Sequence, residues 1–210
     1  MKYERKISEA VIKRLPRYYR YLEDLLNMGI SRVSSKDLSA RTGLTSSQVR
    51  QDFYCFGGFG LQGYGYDVEF LYNEIKKILG LETSYKMIII GAGNLGQALS
   101  KHIPLEKKGF KVVGIFDINP TLIGGKVGDI EILNINDLGD FVKANPVDIA
   151  AITVPAIHAR ETAATAISLG IKGLWNFAPA ELKVPSHIAL ENIHLTDSLM
   201  TLGYKINNSK

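Results

Sequence analysis

Gly91, Gly93 and Gly96 stand in the spacing G-x-G-x-x-G directly after the apolar run MIII. In such a turn the first glycine allows the sharp bend, the second lets a pyrophosphate approach the backbone, and the third lets the following helix pack on the strand. The amides and dipole of the helix start then face the phosphates. Asp117 lies 21 residues beyond Gly96, at the end of the next apolar run, KVVGIFD. A carboxylate there accepts both hydroxyls of an adenosine ribose and repels a 2′-phosphate, which favours NAD(H) over NADP(H). The competing reading is that Asp117 merely caps the turn before Asn119-Pro120.

Two later stretches, TVPA (153–156) and NFAP (176–179), end further apolar runs. Ligands of open parallel sheets bind at that strand edge, so both are candidates for the nicotinamide half of the site, the alternative being ordinary strand-to-loop turns. Catalytic groups are scarce. His102, His158, His187 and His194 have no metal-ligand spacing, and no Cys cluster or Ser-His-Asp pattern offers a nucleophile. His158 follows TVPA and is either an acid or base or a solvent-facing residue at a helix start. Only 33 residues follow Phe177, too few for a substrate domain. The chain therefore reads as one that binds a dinucleotide without reacting it: not an enzyme, and without a metal.

A glycine turn of this kind needs a parallel sheet to hold it. From Tyr85 onward near-continuous apolar strands alternate with helical stretches: MIII, Asn94 to His102, KVVGIFD, a helix near Ile135 to Ala144, VDIAAITV, HARETAATAISLG and KGLWNF. That alternation predicts a sheet covered on both faces. Leu195 to Ile206 reads as a last helix with Leu195, Leu199, Leu202 and Tyr204 apolar, and no strand follows it.

Some 85 residues precede the glycine motif, and they have their own organisation. Ser8 to Asn27 is amphipathic at helical spacing, with Pro16 as its one irregularity. Ser35 is placed to cap a short helix that carries Leu38 inward and ends at Gly43, and Thr45 to cap the next. In that next helix Val49 and Phe53 face the core, while Ser46, Ser47, Gln48, Arg50 and Gln51 point outward, giving a helix-turn-helix. Arg50 suits guanine edges or phosphate, and Gln48 and Gln51 suit adenine or phosphate. Residues 57–67, GGFGLQGYGYD, alternate glycine with aromatics and read as a hairpin wing or, alternatively, a linker. A helix from Val68 to Leu79 follows, and Gly80 to Ser84 marks a boundary. The divisions are 1–80 for a winged helix, 85–192 for a Rossmann-type sheet and 193–210 for a C-terminal helix.

Charge follows the same division. Residues 1–80 carry 13 Lys/Arg against 9 Asp/Glu, whereas residues 81–210 carry 12 of each, so the whole surplus of +4 lies in front. A basic small domain on a neutral larger one suggests a polyanion partner for the first. No run of 18 apolar residues exists and the first residues, MKYERKISEA, are charged, which reads as a cytoplasmic protein without a membrane span. The single cysteine, Cys55, lies between Tyr54 and Phe56 and reads as a small packed side chain.

The stretches KRLPRYYRYLEDL, SSQVRQDF, FGGFGLQGYGYDV, IIIGAGNLGQAL, FDINPTLIG, TVPA and NFAP, in this order, resemble the bacterial redox-sensing repressor family Rex over nearly the whole chain. The resemblance implies a homodimer with an N-terminal winged helix and a C-terminal Rossmann domain, which represses genes until NADH releases it from a palindromic operator. It places Gly91, Ala92, Gly93, Asn94, Leu95 and Gly96 on the pyrophosphate, Asp117 and Ile118 at the adenosine ribose, and Thr153, Val154, Pro155, Asn176, Phe177 and Ala178 around the nicotinamide of NADH or NAD+. Ser46, Ser47, Gln48, Arg50 and Gln51 would lie on double-stranded DNA with Gln62 and Gly63 of the wing, and the final helix would swap into the partner subunit. Three positions depart from the family pattern. Gln62 replaces a basic wing residue, His102 a tyrosine late in the glycine-motif helix, and His194-Leu195 an Asp-Phe or Asp-Leu pair. A carboxylate switch with an N-terminal arginine, Arg20, does not operate unchanged with those residues, although Asp197 is near enough to substitute. Two other functions remain open from sequence: an NAD-dependent oxidoreductase, and a repressor whose ligand is coenzyme A.

Overall fold

The computed structural model describes residues 7–57, 60–61 and 65–208. The chain forms two units, Met1–Thr83 and Ser84–Lys210.

In the first unit, α1 (Glu9–Ile12) and α2 (Leu15–Asn27) stand where the apolar spacing predicts one helix. Pro16 explains the break. A proline inside a helix removes a hydrogen bond and clashes with the preceding turn, whereas in a first turn it fits, so the helix restarts with Pro16 at its second position. Tyr19 of α2 stacks on Tyr72 of α5 (Val68–Ile78), with ring centroids 4.5 Å apart and the two hydroxyls 2.7 Å apart. Ser34, rather than Ser35, caps α3 (Ser35–Thr42). Its Oγ accepts from the Asp37 amide and Asp37 reaches back to the Ser34 amide, a reciprocal capping box. Gly43 ends α3 in the left-handed conformation, and Thr45 caps α4 (Ser46–Tyr54). Among the described residues three short strands, β1 (Arg32–Val33), β2 (Gly60–Leu61) and β3 (Gly65–Asp67), pair antiparallel in the order β1-β3-β2. The β2–β3 pairing makes the hairpin, while Gln62 and Gly63 lie outside the described residues.

Three side chains, through four hydrogen bonds, tie this unit together at Asp52, which is completely buried on α4. Arg14 donates to both carboxylate oxygens at 2.7 Å, Tyr18 donates to Oδ2 at 2.8 Å, and Gln48 donates to Oδ1 at 3.0 Å. Burial opposes ionisation of Asp52, but the bonds from Arg14, Gln48 and Tyr18 outweigh it and hold the carboxyl below its ordinary value.

The second unit is a seven-stranded sheet among the described residues, ordered β10-β9-β8-β4-β5-β7-β6. Its strands are β4 (Tyr85–Ile90), β5 (Phe110–Asp117), β6 (Lys126–Val127), β7 (Ile130–Asn134), β8 (Ile149–Ile152), β9 (Gly173–Asn176) and β10 (Ala189–Asn192). All neighbours are parallel except β6, which pairs antiparallel with β7. Central β4 alternates between two cores. Ile88 and Ile90 share one with Leu138 of α7 (Leu138–Ala144) and Ala159, Ala163 and Ala166 of α8 (Ala156–Ser168). Met87 and Ile89 share the other with Leu99 of α6 (Asn94–His102). Each such side chain contributes about 1.5–3 kcal/mol by leaving water, which is why β4 reads as an unbroken apolar run. The region near Ile135 begins as a 3-10 turn before α7. Strands β1, β6, β7 and β10 do not stand out in the sequence, because each is short and half exposed. The last helix, α9 (Leu195–Asn207), buries no residue. Leu195, Leu199 and Tyr204 are 64%, 66% and 71% exposed.

The Asp52 cluster generates a stability prediction. Asp52→Ala, which leaves Arg14 and Tyr18 without their acceptor, is expected to cost about 3 kcal/mol, read by urea unfolding. Because the folded carboxyl titrates below its unfolded value, its contribution is complete above about pH 4 and is lost as pH falls through the lower folded value. Asp52→Asn should lack that part of the acid limb. Parallel stability–pH curves for wild type and Asp52→Asn would contradict this assignment.

Candidate dinucleotide and DNA sites

The sheet reverses its strand order at β4, whose neighbours are β5 and β8. Ligands of such sheets bind in the crevice at that point. A cleft of about 710 Å³ opens there, entirely within the second unit. Its glycine loop meets the requirements of a phosphate cradle position by position. Gly91 has φ +108°, and a Cβ there would lie 2.8 Å from the Thr153 carbonyl oxygen. A Cβ on Gly96 would lie 2.0 Å from the Gly91 carbonyl oxygen, so any side chain would push α6 off the loop. A Cβ on Gly93 would meet nothing within 4 Å, so the open space needed by a ligand lies at the middle glycine. No side chain caps α6, leaving its first-turn amides and dipole available to an anion.

Three side chains hold this loop from three directions. The Asp117 carboxylate at the end of β5 accepts from the Ala92 amide through Oδ2 and from the Asn119 amide through Oδ1 at 2.8 Å. Gln97 of α6 donates to the Ala92 carbonyl at 2.8 Å. The Thr153 hydroxyl, just past β8, lies 2.7 Å from the Gly91 carbonyl, to which it donates, and 3.1 Å from that of Ile90. Asp117 thus caps its own turn and anchors the glycine loop, and both bonds leave further lone pairs on its oxygens.

Of the sequence-derived residues, Gly91, Gly93, Leu95, Asp117, Ile118, Thr153, Val154, Pro155 and Phe177 line the cleft. Asn94 and Gly96 stand in the first turn of α6. Ala92, Asn176 and Ala178 are buried and support the cleft from behind. The cleft is also lined by Ile135 and Leu138 and by Glu161, Thr162 and Thr165 of α8 beside His158, and of these only His158 stands out in the sequence. The signal was available: residues 158, 161, 162 and 165 recur on one helical face, beside the face that buries Ala159, Ala163 and Ala166. His102 ends α6 and His194 precedes α9 without a side-chain capping bond.

On α4 of the first unit, Ser47, Arg50 and Gln51 are exposed, whereas Ser46 and Gln48 are half-buried. Gln48 does not point outward, because its amide is bound to Asp52. Ser46 is 3.1 Å from Ser39. Arg50 rests against the Ser35 hydroxyl at 3.2 Å, tying the candidate recognition helix to the start of α3. Among the described residues no His, Cys, Asp or Glu cluster could hold a metal, and no helix is long and apolar enough to cross a membrane.

A helix-turn-helix with a hairpin on one unit and a glycine-loop crevice on the other define a DNA-binding regulator with a nucleotide-binding sheet. A family model described as a putative DNA-binding protein N-terminus matches residues 6–53, and one described as a CoA binding domain matches residues 82–180. The redox-sensing transcriptional repressor Rex of Thermoanaerobacter pseudethanolicus is 53% identical over 205 residues, covering 98% of this chain and 92% of that protein. Two crystal structures of the protein RSP are similar over 97% of this chain. One is in complex with beta-NADH (TM-score 0.89, 50% identity, 96% of that chain), the other with beta-NAD+ and operator DNA (TM-score 0.90, 52% identity, 94% of that chain). The chain belongs to the Rex family of redox-sensing transcriptional repressors, which are regulators and not enzymes.

The glycine geometry separates two substitutions. Gly96→Ala must displace backbone and is expected to destabilise the second unit by about 1–3 kcal/mol, whereas Gly93→Ala should stay within about 0.5 kcal/mol of wild type. Thermal unfolding reads both, and equal melting temperatures would refute the tight contact at Gly96.

Proposed function

We propose that this chain binds a two-fold symmetric operator as a homodimer and leaves it when NADH enters the crevice, NAD+ being the weaker releasing ligand. The observation that carries the reading is the open space at Gly93 beneath the uncapped start of α6, with Asp117 one strand away. That arrangement fits a pyrophosphate followed by an adenosine ribose. It is supported by the NADH-bound and NAD+/DNA-bound structures of RSP. Gly91 to Gly96 would hold the pyrophosphate, Asp117 and Ile118 the ribose, and Thr153 to Pro155 with Asn176 to Ala178 the nicotinamide end. The same carboxylate disfavours coenzyme A, whose adenosine ribose carries a phosphate.

NADH and NAD+ differ only at the nicotinamide, neutral in one and cationic in the other. Val154, Pro155 and Phe177 offer it apolar surface, which disfavours an uncompensated cation. Preference alone releases nothing. The DNA-incompetent dimer must hold NADH more tightly than the DNA-bound one, and DNA must then weaken NADH by the same factor. For DNA, Arg50 and Gln51 are the residues for base edges or phosphates, and Ser46 and Ser47 for phosphates. Gln48 holds the helix through Asp52, and Gln62 and Gly63 carry the wing. The exposed apolar face of α9 is the surface that a second copy would cover. The protein would act in the cytoplasm, without a metal.

Operator binding titrated with NADH and NAD+ separately, with coenzyme A as a third arm, tests the proposal. NADH should release the protein at lower concentration than NAD+, and coenzyme A should not release it. Arg50→Ala should cost about 1–3 kcal/mol of operator affinity if it reads a base. Asp117→Asn keeps an acceptor for the Ala92 amide while removing the charge, so it should relax discrimination against NADPH with NADH still bound. A protein that stays on DNA in saturating NADH would refute the reading.

A further inference from the structure

The crevice and α9 are linked by a pair of asparagines. Asn176, the last residue of β9, is completely buried, and its amide is fully committed. Its Oδ1 accepts from the Ala178 amide at 3.0 Å. Its Nδ2 donates to the carbonyls of Ala178 and Ala180 at 3.2 and 3.0 Å and to Oδ1 of Asn192 at 2.9 Å. The loop that presents Phe177 to the crevice is therefore folded around one side chain. The main chain doubles the link, because the Ile193 amide donates to the Asn176 carbonyl at 2.8 Å. Asn192 ends β10, and α9 begins three residues later at Leu195. His194, at the N-cap position of α9, makes no side-chain bond to the helix.

We infer that Asn176 and Asn192 form a positioning pair through which occupancy of the nicotinamide end of the crevice sets the direction in which α9 leaves the sheet. Among the described residues the Asn192 side chain bonds to Asn176 and to no cleft-lining side chain, so it acts through Asn176. A ligand that shifts Phe177 or Ala178 must move the acceptors around the Asn176 amide, and the only acceptor among them on another strand is Asn192. The inference rests on the NADH-released repressor proposed above.

Asn192 is itself exposed, and Asn176 keeps two carbonyl acceptors without it, so Asn192→Ala leaves no orphaned buried group. Asn192→Asp retains an oxygen acceptor for the Asn176 amide. The full-length proteins are compared by NADH affinity in the absence of DNA, melting temperature, and the factor by which saturating NADH lowers operator affinity. In Asn192→Ala that factor is expected to shrink about tenfold, the size of one lost hydrogen bond at the strong end of its range. NADH affinity without DNA should stay within about twofold and the melting temperature should hold, with Asn192→Asp behaving as wild type. An undiminished factor in Asn192→Ala would overturn the pairing. So would a parallel loss of NADH affinity and stability, which marks a merely structural bond, or failure of Asn192→Asp to restore the response. A wild type that NADH does not release would instead refute the repressor reading on which the pair depends.

Discussion

The second unit depends on keeping three residues of backbone, Gly91 to Gly93, in one conformation with a single methyl group, that of Ala92, to pack. Burial of that one methyl group does little to hold the loop, whose exposed residue, Gly93, must leave space for a ligand. It is held instead by hydrogen bonds from Asp117, Gln97 and Thr153, one from each of the elements that surround it. Each bond contributes only about 1 kcal/mol net, yet together they remove the conformational freedom that a glycine-rich loop would otherwise lose on binding. This also explains why Asp117 cannot be described by a single role. The carboxylate that would select the ribose also sets the loop, so a change that removes its acceptor oxygens acts on the loop as well as on the ribose.

The first unit answers a similar need with the opposite device. Its candidate recognition helix presents Ser47, Arg50 and Gln51 to solvent, so the inner face must hold the helix, and it does so in part through a buried charge. Asp52 gathers Gln48 from the same helix, Tyr18 from α2 and Arg14 from the α1–α2 break. A buried ion pair of this kind is weak evidence for stability in itself, because desolvation offsets most of the attraction. What it supplies is a directional fit between α4 and the chain near Pro16 that apolar contact alone does not specify.

Much of this was legible in the sequence, for particular reasons. The glycine spacing, the carboxylate 21 residues on, and the unbroken apolar run of β4 each follow from a geometric demand that few residue types meet. Thr45 and Gly43 announced the helix-turn-helix because capping chemistry is local. The misses are equally physical. Ser34 and Ser35 are adjacent, and only the position of Asp37, three residues beyond Ser34, decides which one caps. Gln48 looks like a base-reading residue until Asp52, one turn away, is seen to be buried. Strands β7 and β10, five and four residues long and half exposed, are too short to show a period. The Asn176–Asn192 contact spans 16 residues, and nothing in either neighbourhood signals it.

The exposure of α9 has a consequence for how much protein a cell must hold. A helix of 13 residues with no buried side chain is marginal in water on its own. If a second copy supplies the cover, the order of this helix becomes a function of concentration, governed by mass action and not by the chain's own folding free energy. A dilute pool would then contain sheets with frayed C-termini, and repression would set in steeply as copy number rises. Synthesis and turnover of the protein would tune its reach as directly as any small molecule.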